Sequence, residues 1–346
     1  MIDLSRDEAA RARALHRSAL VVDTHNDAIG AMMARPGEGT RDFRLQRRLG
    51  ERSSNGQVDL PRIREGGVDC LVFAMCATGP AYRGRRLKTY LQMLDVFHGE
   101  VATNAAAIAV ATTAPEVRAV VEEGRVAAVL AIEGGEALEG DLGVLRMLYK
   151  LGVRVVTLTH FPRNELGDGS RDDAGSHLTA FGVEVVEEMQ RLGMLIDVSH
   201  LNERGFWDVM DRVKTPVIAS HSNCMALARH HRNLTNPQIE ALAARGGAIN
   251  LSFCGGFLKE GVTRETLHEV TVEDWLAHLD HVVNLVGPDH VGLGSDFDGG
   301  CGFPGMDDIT KMPQITRGLV ARGYADAEIG KILGGNNLRI FQAVLR

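Results

Sequence analysis

The chain has 346 residues, 45% hydrophobic and 24% charged, with a formal net charge of −7. This is ordinary globular material, ample for one large domain, and the acidic balance argues against nucleic acid as a partner. No apolar run approaches the roughly 20 residues that span a bilayer, and five scattered cysteines are an odd, sparse set that does not suggest a disulfide framework.

MIDLSRDEAARARALHRS, residues 1–18, is charged and helical in pattern, and lacks the apolar core of a secretory signal. ALVVD (19–23) is a buried-type strand that leads into His25 and Asp27. Side chains two apart on a strand share a face, so these two are expected to point the same way. Residues 28–66 form a long loop insertion, rich in Arg and Gly. Loops of this length are uncommon unless functional, which makes it a candidate flap or subunit contact. GVDCLVFAM (67–75) is the next strand and ends without an ionisable residue. Residues 86–123 are expected to be helical, with Pro115 starting the second helix of the segment. RVAAVLAI (125–132) ends at Glu133, and GVRVVTLT (152–159) ends at His160. The polar, Gly-rich stretch after His160 suggests a substrate-facing lid, and LTAFGVEVVEEMQRLG an amphipathic helix. GMLIDVS (193–199) ends at His200, TPVIAS (215–220) at His221, GAINLSF (247–253) at Cys254 and HVGLGS (290–295) at Asp296. Residues 271–287 and 326–345 show the helical period and are expected on the outside.

Strands that alternate with helices imply a parallel sheet with both faces covered. Eight such units in this length predict an α/β fold, a closed (β/α)8 TIM-type barrel, as a single domain over 1–346. In that barrel the chemistry lies at the C-terminal strand ends. His25, Glu133, His160, His200, His221 and Asp296 all fall there.

Histidine nitrogens and carboxylate oxygens are the ligands of a catalytic zinc that keeps a position open for water. His25 with Asp27, and His200 with His221, suit two ions about 3.5–4 Å apart with Glu133 bridging. Such a pair would lower the pKa of a bridging water, and the hydroxide would attack an amide carbonyl. His160 is placed to donate to the developing oxyanion. Asp296 is placed to relay the water's proton to the leaving amine. Arg232 offers a bidentate clamp for a substrate carboxylate, although the run Arg229-His230-His231-Arg232 reads equally as a solvated surface. A single strand-end His more often holds structure; the collection of five ligands at barrel-mouth positions favours metal. His278 and His281 share a helical face without a third ligand nearby, and read as packing or surface residues. Asp298 is expected to orient a neighbour, and His177 in the lid loop has no assigned role. Cys254 and Cys301 read as small buried or loop thiols rather than reactive ones.

The strings VVDTHND, VDLPRIREGGV, AIEGGEAL with LGVLRMLYKLGVRVVTLTH, LTAFGVEVVEEMQRLGMLIDVSH, SHSN, ARHHRN, VGLGSDFDG and GGNNLRIF resemble the membrane (renal) dipeptidase family. These are zinc peptidases with an amidohydrolase-like barrel, and the resemblance runs from about residue 19 to the end. It implies a binuclear zinc dipeptidase with two Zn2+ per chain, held by His25, Asp27, His200 and His221 with Glu133 bridging. It also implies substrate contacts at His160, Arg232 and Asp296, which lifts Arg232 above the surface alternative. Members hydrolyse dipeptides, often tolerate a C-terminal D-residue, and some open β-lactams. The vertebrate members are secreted, lipid-anchored and disulfide-linked. This chain shows neither signal nor anchor tail, and its PRNELGDGS loop follows the bacterial pattern. A cytoplasmic enzyme of the bacterial branch is therefore expected. Its expected partners are small dipeptides, with no nucleic acid, no membrane and a homodimer as candidate assembly. The alternatives are hydrolysis of another amide, lactam or lactone with the same metals, and a non-catalytic binding protein, which the intact ligand set disfavours.

Overall fold

The computed structural model describes residues 2–33 and 45–346, so part of the expected 28–66 insertion lies outside the described residues. Among the described residues nine strands are present: β1 (Val22–Asn26), β2 (Cys70–Cys76), β3 (Ile108–Val110), β4 (Val126–Glu133), β5 (Val153–Thr157), β6 (Leu195–Asp197), β7 (Ile218–Ala219), β8 (Ala248–Leu251) and β9 (Val291–Leu293). All pair in parallel, and β2 pairs with both β1 and β4. Eight strands therefore close on themselves in the order β1-β2-β4-β5-β6-β7-β8-β9, the expected (β/α)8 barrel.

The ninth strand is a correction. Residues 86–123 are not all helical: helices Arg86–Thr103 and Ala114–Glu122 flank β3. β3 pairs with Val126–Ala128, and β5 takes the same edge of β4 from Leu130 onward. Its three-residue core, set in an Ala- and Thr-rich stretch, has too little β-branched length to stand out from a helical pattern. Pro115 does open the second helix, whose N-cap Thr113 accepts from Glu116 N.

Along β2 and β4 the side chains alternate between two apolar clusters. Leu71, Phe73, Met75, Ala128, Leu130 and Ile132 pack in the larger one, with outer helices such as Val272–Val286. Cys70, Val72, Ala74, Ala127, Val129 and Ala131 pack in the other, and Glu133 continues that face by strand alternation. The C-terminal helix Asn336–Val344 places Leu338, Ile340, Phe341 and Val344 in this second cluster. It therefore covers the face that leads to Glu133, which corrects the outside position expected for this last part of 326–345, while Ile329, Ile332 and Leu333 pack in the larger cluster with the outer helices. That segment is also broken, running as helix Asp326–Gly330, a π-helical turn Lys331–Gly335 and helix Asn336–Val344. The turn lets Gly334 press on the chain before β1, where a Cβ would lie 2.1 Å from Leu20 O.

The leading helix Arg6–Ser18 forms as expected, closed by a Ser5–Glu8 capping box. The loop after β5 carries no helix until Ala180–Leu192, which Thr179 caps. Buried Asp168 braces this loop by accepting from Ala174 N and Ser176 N, both at 3.1 Å. Among the described residues, no helix is long and apolar enough to cross a membrane.

Candidate active site

β4 ends in Glu133, and three imidazoles converge on its Oε1. His200 Nε2 lies at 3.0 Å, His221 Nε2 at 3.4 Å and His25 Nε2 at 3.6 Å. His25 Nε2 is also 3.6 Å from Asp27 Oδ2, and the His200 and His221 Nε2 atoms are 2.9 Å apart. The five expected ligand residues thus meet at one barrel mouth, and all but Asp27 are buried. His25 and Asp27 do not converge by plain strand alternation. The β1–β2 register is irregular between Asp23 and Asn26, and Asp27 already sits at the N-cap of the next helix. His200 and Asp296 adopt left-handed backbone, φ 66° and 59°. Such strain costs on the order of 1–3 kcal/mol and gathers at functional sites.

Hydrogen bonds fix the rings. Ser220 Oγ donates to Asp197 Oδ2 at 2.5 Å and lies 2.8 Å from His221 Nδ1. With its proton committed to Asp197, the hydroxyl accepts from Nδ1–H, which leaves His221 Nε2 bare toward Glu133. Asp197 also accepts from Thr157 Oγ1 at 2.5 Å and from the Ser199 and Ser220 amides at 2.9 Å. On the opposite side, Asp23 accepts from Ser295 N and Oγ, both at 2.7 Å, and so ties β1 to β9.

The donor set fits divalent metal. His25 Nε2 and His200 Nδ1 are buried without a hydrogen-bond partner. Carboxylate atoms of Asp27 and Asp296 lie within 4.8 Å of a His25 nitrogen. Burial pulls the His25 pKa down, but Glu133 and then Asp27 outweigh it and raise it overall. Burial likewise raises Glu133, against the pull of His25. Burial, with Arg232 and neighbouring imidazoles, holds His200 and His221 well below the ordinary range and therefore neutral. Crowded carboxylates and neutral imidazoles around one point favour a cation there.

The remaining expected residues surround this cluster. His160 Nδ1 is 2.8 Å from Thr78 Oγ1, and its Nε2 is 3.9 Å from Glu133 Oε2. Burial lowers its pKa to about 4, so the ring is neutral. Asp296 N bonds His25 O at 2.9 Å, and its Oδ2 accepts from Cys301 Sγ at 3.0 Å. Burial raises the Asp296 carboxyl. Arg232 is only 2% exposed, which removes the solvated-surface alternative. It donates to His221 O at 2.9 Å and Ser222 Oγ at 3.3 Å, and its Nε has no partner. With His200, Ser170, His231 and Asn233 it lines a cavity of about 160 Å³.

Other residues fall away from the centre. Buried His278 accepts from Cys224 N and bonds Leu258 O, both at 3.0 Å, in a packing role. His281 bonds Asn236 Oδ1, and His177 bonds Asp208 across the surface. Asp298 holds Arg47 and the amides of Gln57 and Val58, which anchors the C-terminal half of the 28–66 insertion. One strand end was misread. β2 runs on to Cys76, paired in register with Glu133, and its thiol lies within 4.8 Å of ligand atoms of Glu133 and His160. Continuing the Val72, Ala74 alternation by one step would have found it. Thr78, Asp197, Ser220 and Asp23 were also missed. Their only sequence signal is polarity within or just beyond an apolar run.

The model of the family described as membrane dipeptidase (peptidase family M19) matches residues 9–346. Dipeptidase tcpJ of Claviceps purpurea is 32% identical over 334 residues, 93% of this chain and 76% of that protein. A crystal structure described as the dipeptidase AC, a metallo peptidase, superposes with a TM-score of 0.83 at 30% identity, covering 94% of this chain and 99% of that one. A metallo peptidase from Rhodobacter sphaeroides, solved with a phosphinate mimic of the dipeptide L-Ala-D-Ala, gives 0.81 at 29% identity over the same shares. Because the family match contains every strand that closes the barrel and every residue that meets at its mouth, the chain belongs to the membrane dipeptidase family, peptidase family M19, and is a metallo-dipeptidase.

Proposed function

We propose that this enzyme hydrolyses dipeptides, including those with a C-terminal D-residue, with two Zn2+ ions per chain. His25 and Asp27 would hold one ion, His200 and His221 the other, with Glu133 between them. The observation that carries this is the convergence of three imidazole Nε2 atoms on Glu133 Oε1 within 3.6 Å. When bound, the metal pair supplies a water acidic enough to attack near neutral pH and polarises the scissile carbonyl.

The chain's own residues do the rest. Arg232, buried and with an unused Nε, grips the free carboxylate of the dipeptide. That demand for a carboxylate one residue beyond the scissile amide disfavours cleavage inside longer chains. With Nδ1 assigned as acceptor of the Thr78 hydroxyl 2.8 Å away, His160 keeps Nε2–H to donate to the developing oxyanion. Asp296, its carboxyl raised by burial toward neutrality, takes the water's proton and delivers it to the leaving amine. Tolerance of a D-residue is supported by the L-Ala-D-Ala mimic bound to the Rhodobacter sphaeroides relative.

The test is a zinc-loaded assay of L-Ala-L-Ala, L-Ala-D-Ala, their C-terminal amides, and simple lactams and lactones. Both free dipeptides should be cleaved, with the amides poor substrates. Rapid lactam or lactone opening with dipeptides inert would replace this reading with another hydrolase on the same metals.

A further inference from the structure

Two thiols stand beside the proposed metal pair without belonging to it. Cys254 lies just past β8, at the N-cap of the short segment Gly255–Leu258. Cys301 lies in the loop after β9, and Asp296 lies near the start of that loop. The two Sγ atoms and an Asp296 carboxylate oxygen all lie within 4.8 Å of one another. Both thiols are free; Cys301 is buried and Cys254 half-buried. Their proximity is built by backbone. Gly302 N donates to Phe253 O at 3.0 Å, which ties the residue after Cys301 to the residue before Cys254. Gly300 and Gly302, at φ 99° and 116°, supply the left-handed turns on either side of Cys301.

This donor set differs in kind from the His and carboxylate cluster beside it. A tetrahedral ion with metal–sulfur bonds of about 2.3 Å holds its donors somewhat under 4 Å apart, against the 4.8 Å within which these three donors already lie. Thiolates favour soft or borderline ions and discriminate against Mg2+, Ca2+ and Mn2+. We propose that Cys254, Cys301 and Asp296 form a further, thiophilic cation site at the barrel mouth, and that filling it with excess Zn2+ or with Cd2+ inhibits the enzyme by withdrawing Asp296 from the substrate. Binding releases one proton from each thiol to solvent, and the Cys301 Sγ–H···Asp296 hydrogen bond gives way to shared coordination. The inhibitory half rests on the role proposed for Asp296; the binding half does not.

The experiment titrates the zinc-loaded enzyme with Cd2+ while recording the ultraviolet thiolate-to-metal charge-transfer band and dipeptide hydrolysis together. The band should grow and saturate, excess Zn2+ should compete it away, and hydrolysis should fall by roughly 10²-fold at saturation, the scale of an acid–base contribution. Cys254→Ser should lose the band and resist Cd2+ while keeping its basal activity; Cys76→Ser should keep the band. No band in the wild type, or a band that survives Cys254→Ser and vanishes in Cys76→Ser, overturns the site. A saturating band with unchanged hydrolysis keeps the site and overturns its inhibitory action. Should Cys254→Ser fail to fold, alkylation of wild-type Cys254 with iodoacetamide gives the same answer: Cd2+ must protect it, and equal labelling with and without Cd2+ overturns the proposal.

Discussion

Arg232→Ala removes the group that would make this enzyme selective for dipeptides. The side chain is 2% exposed. Its two observed bonds go to His221 O and Ser222 Oγ, and Nε has none. A buried guanidinium in this state gains strongly from an arriving carboxylate. Charge-assisted bonds are worth about 1.5–3 kcal/mol each, net of the exchange with water. Breaking a buried pair costs about 2–5 kcal/mol, which is roughly 30- to 5000-fold in kcat/KM at about 1.36 kcal/mol per decade. The assay compares free and C-terminally amidated dipeptides in wild type, Arg232→Ala and Arg232→Lys. Metal content is measured alongside, because Arg232 also touches the His221 carbonyl. The free dipeptide should lose most of its rate in the alanine variant, and lysine should restore only part, since it keeps the charge without the planar fork. The amide should be a poor substrate throughout and lose little more. Equal cleavage of free and amidated dipeptides by the wild type would refute the clamp.

Asp296→Asn keeps the shape and loses the proton, so turnover should fall by about 10²-fold or more with metal retained; near-normal turnover moves the relay elsewhere. Ser220→Ala cuts the link between Asp197 and His221 Nδ1, and metal affinity read by chelator competition should drop by about 10- to 100-fold; unchanged affinity would mean that packing alone holds the ring. His278→Gln reports on acid stability. Burial lowers the folded pKa of His278 to about 4, against about 6.5 unfolded. The neutral ring's contribution is fully present above about pH 6.5 and is lost as pH falls toward 4, by up to about 3 kcal/mol. The wild type should therefore lose more thermal stability than the variant between pH 7.5 and 5, and equal losses would refute the assignment.

The barrel was legible because its strands are compact β-branched runs and because ionisable residues follow those runs directly. Glu133, His200 and His221 each stand at or within three residues of the end of β4, β6 and β7. β3 was hidden by its length, and Cys76 by ending β2 one residue early. The Asp197–Ser220–His221 chain was not readable, since its hydrogen bonds exist only once β6 and β7 are neighbours. Arg232 was ambiguous for a related reason. A charged run says nothing of burial, and only the fold turns that guanidinium inward. The C-terminal helix shows the same limit: its period marks an apolar side, but not which face of the barrel receives it.

Metal stoichiometry bears most directly on the proposed chemistry. Metal-free enzyme is titrated with Zn2+ while L-Ala-D-Ala hydrolysis and bound metal are measured in the same samples. Activity should reach its maximum at two ions per chain, and Glu133→Gln, which removes the charge on which His25, His200 and His221 converge, should lower metal content and turnover together. Full activity with one ion or none would contradict the binuclear centre.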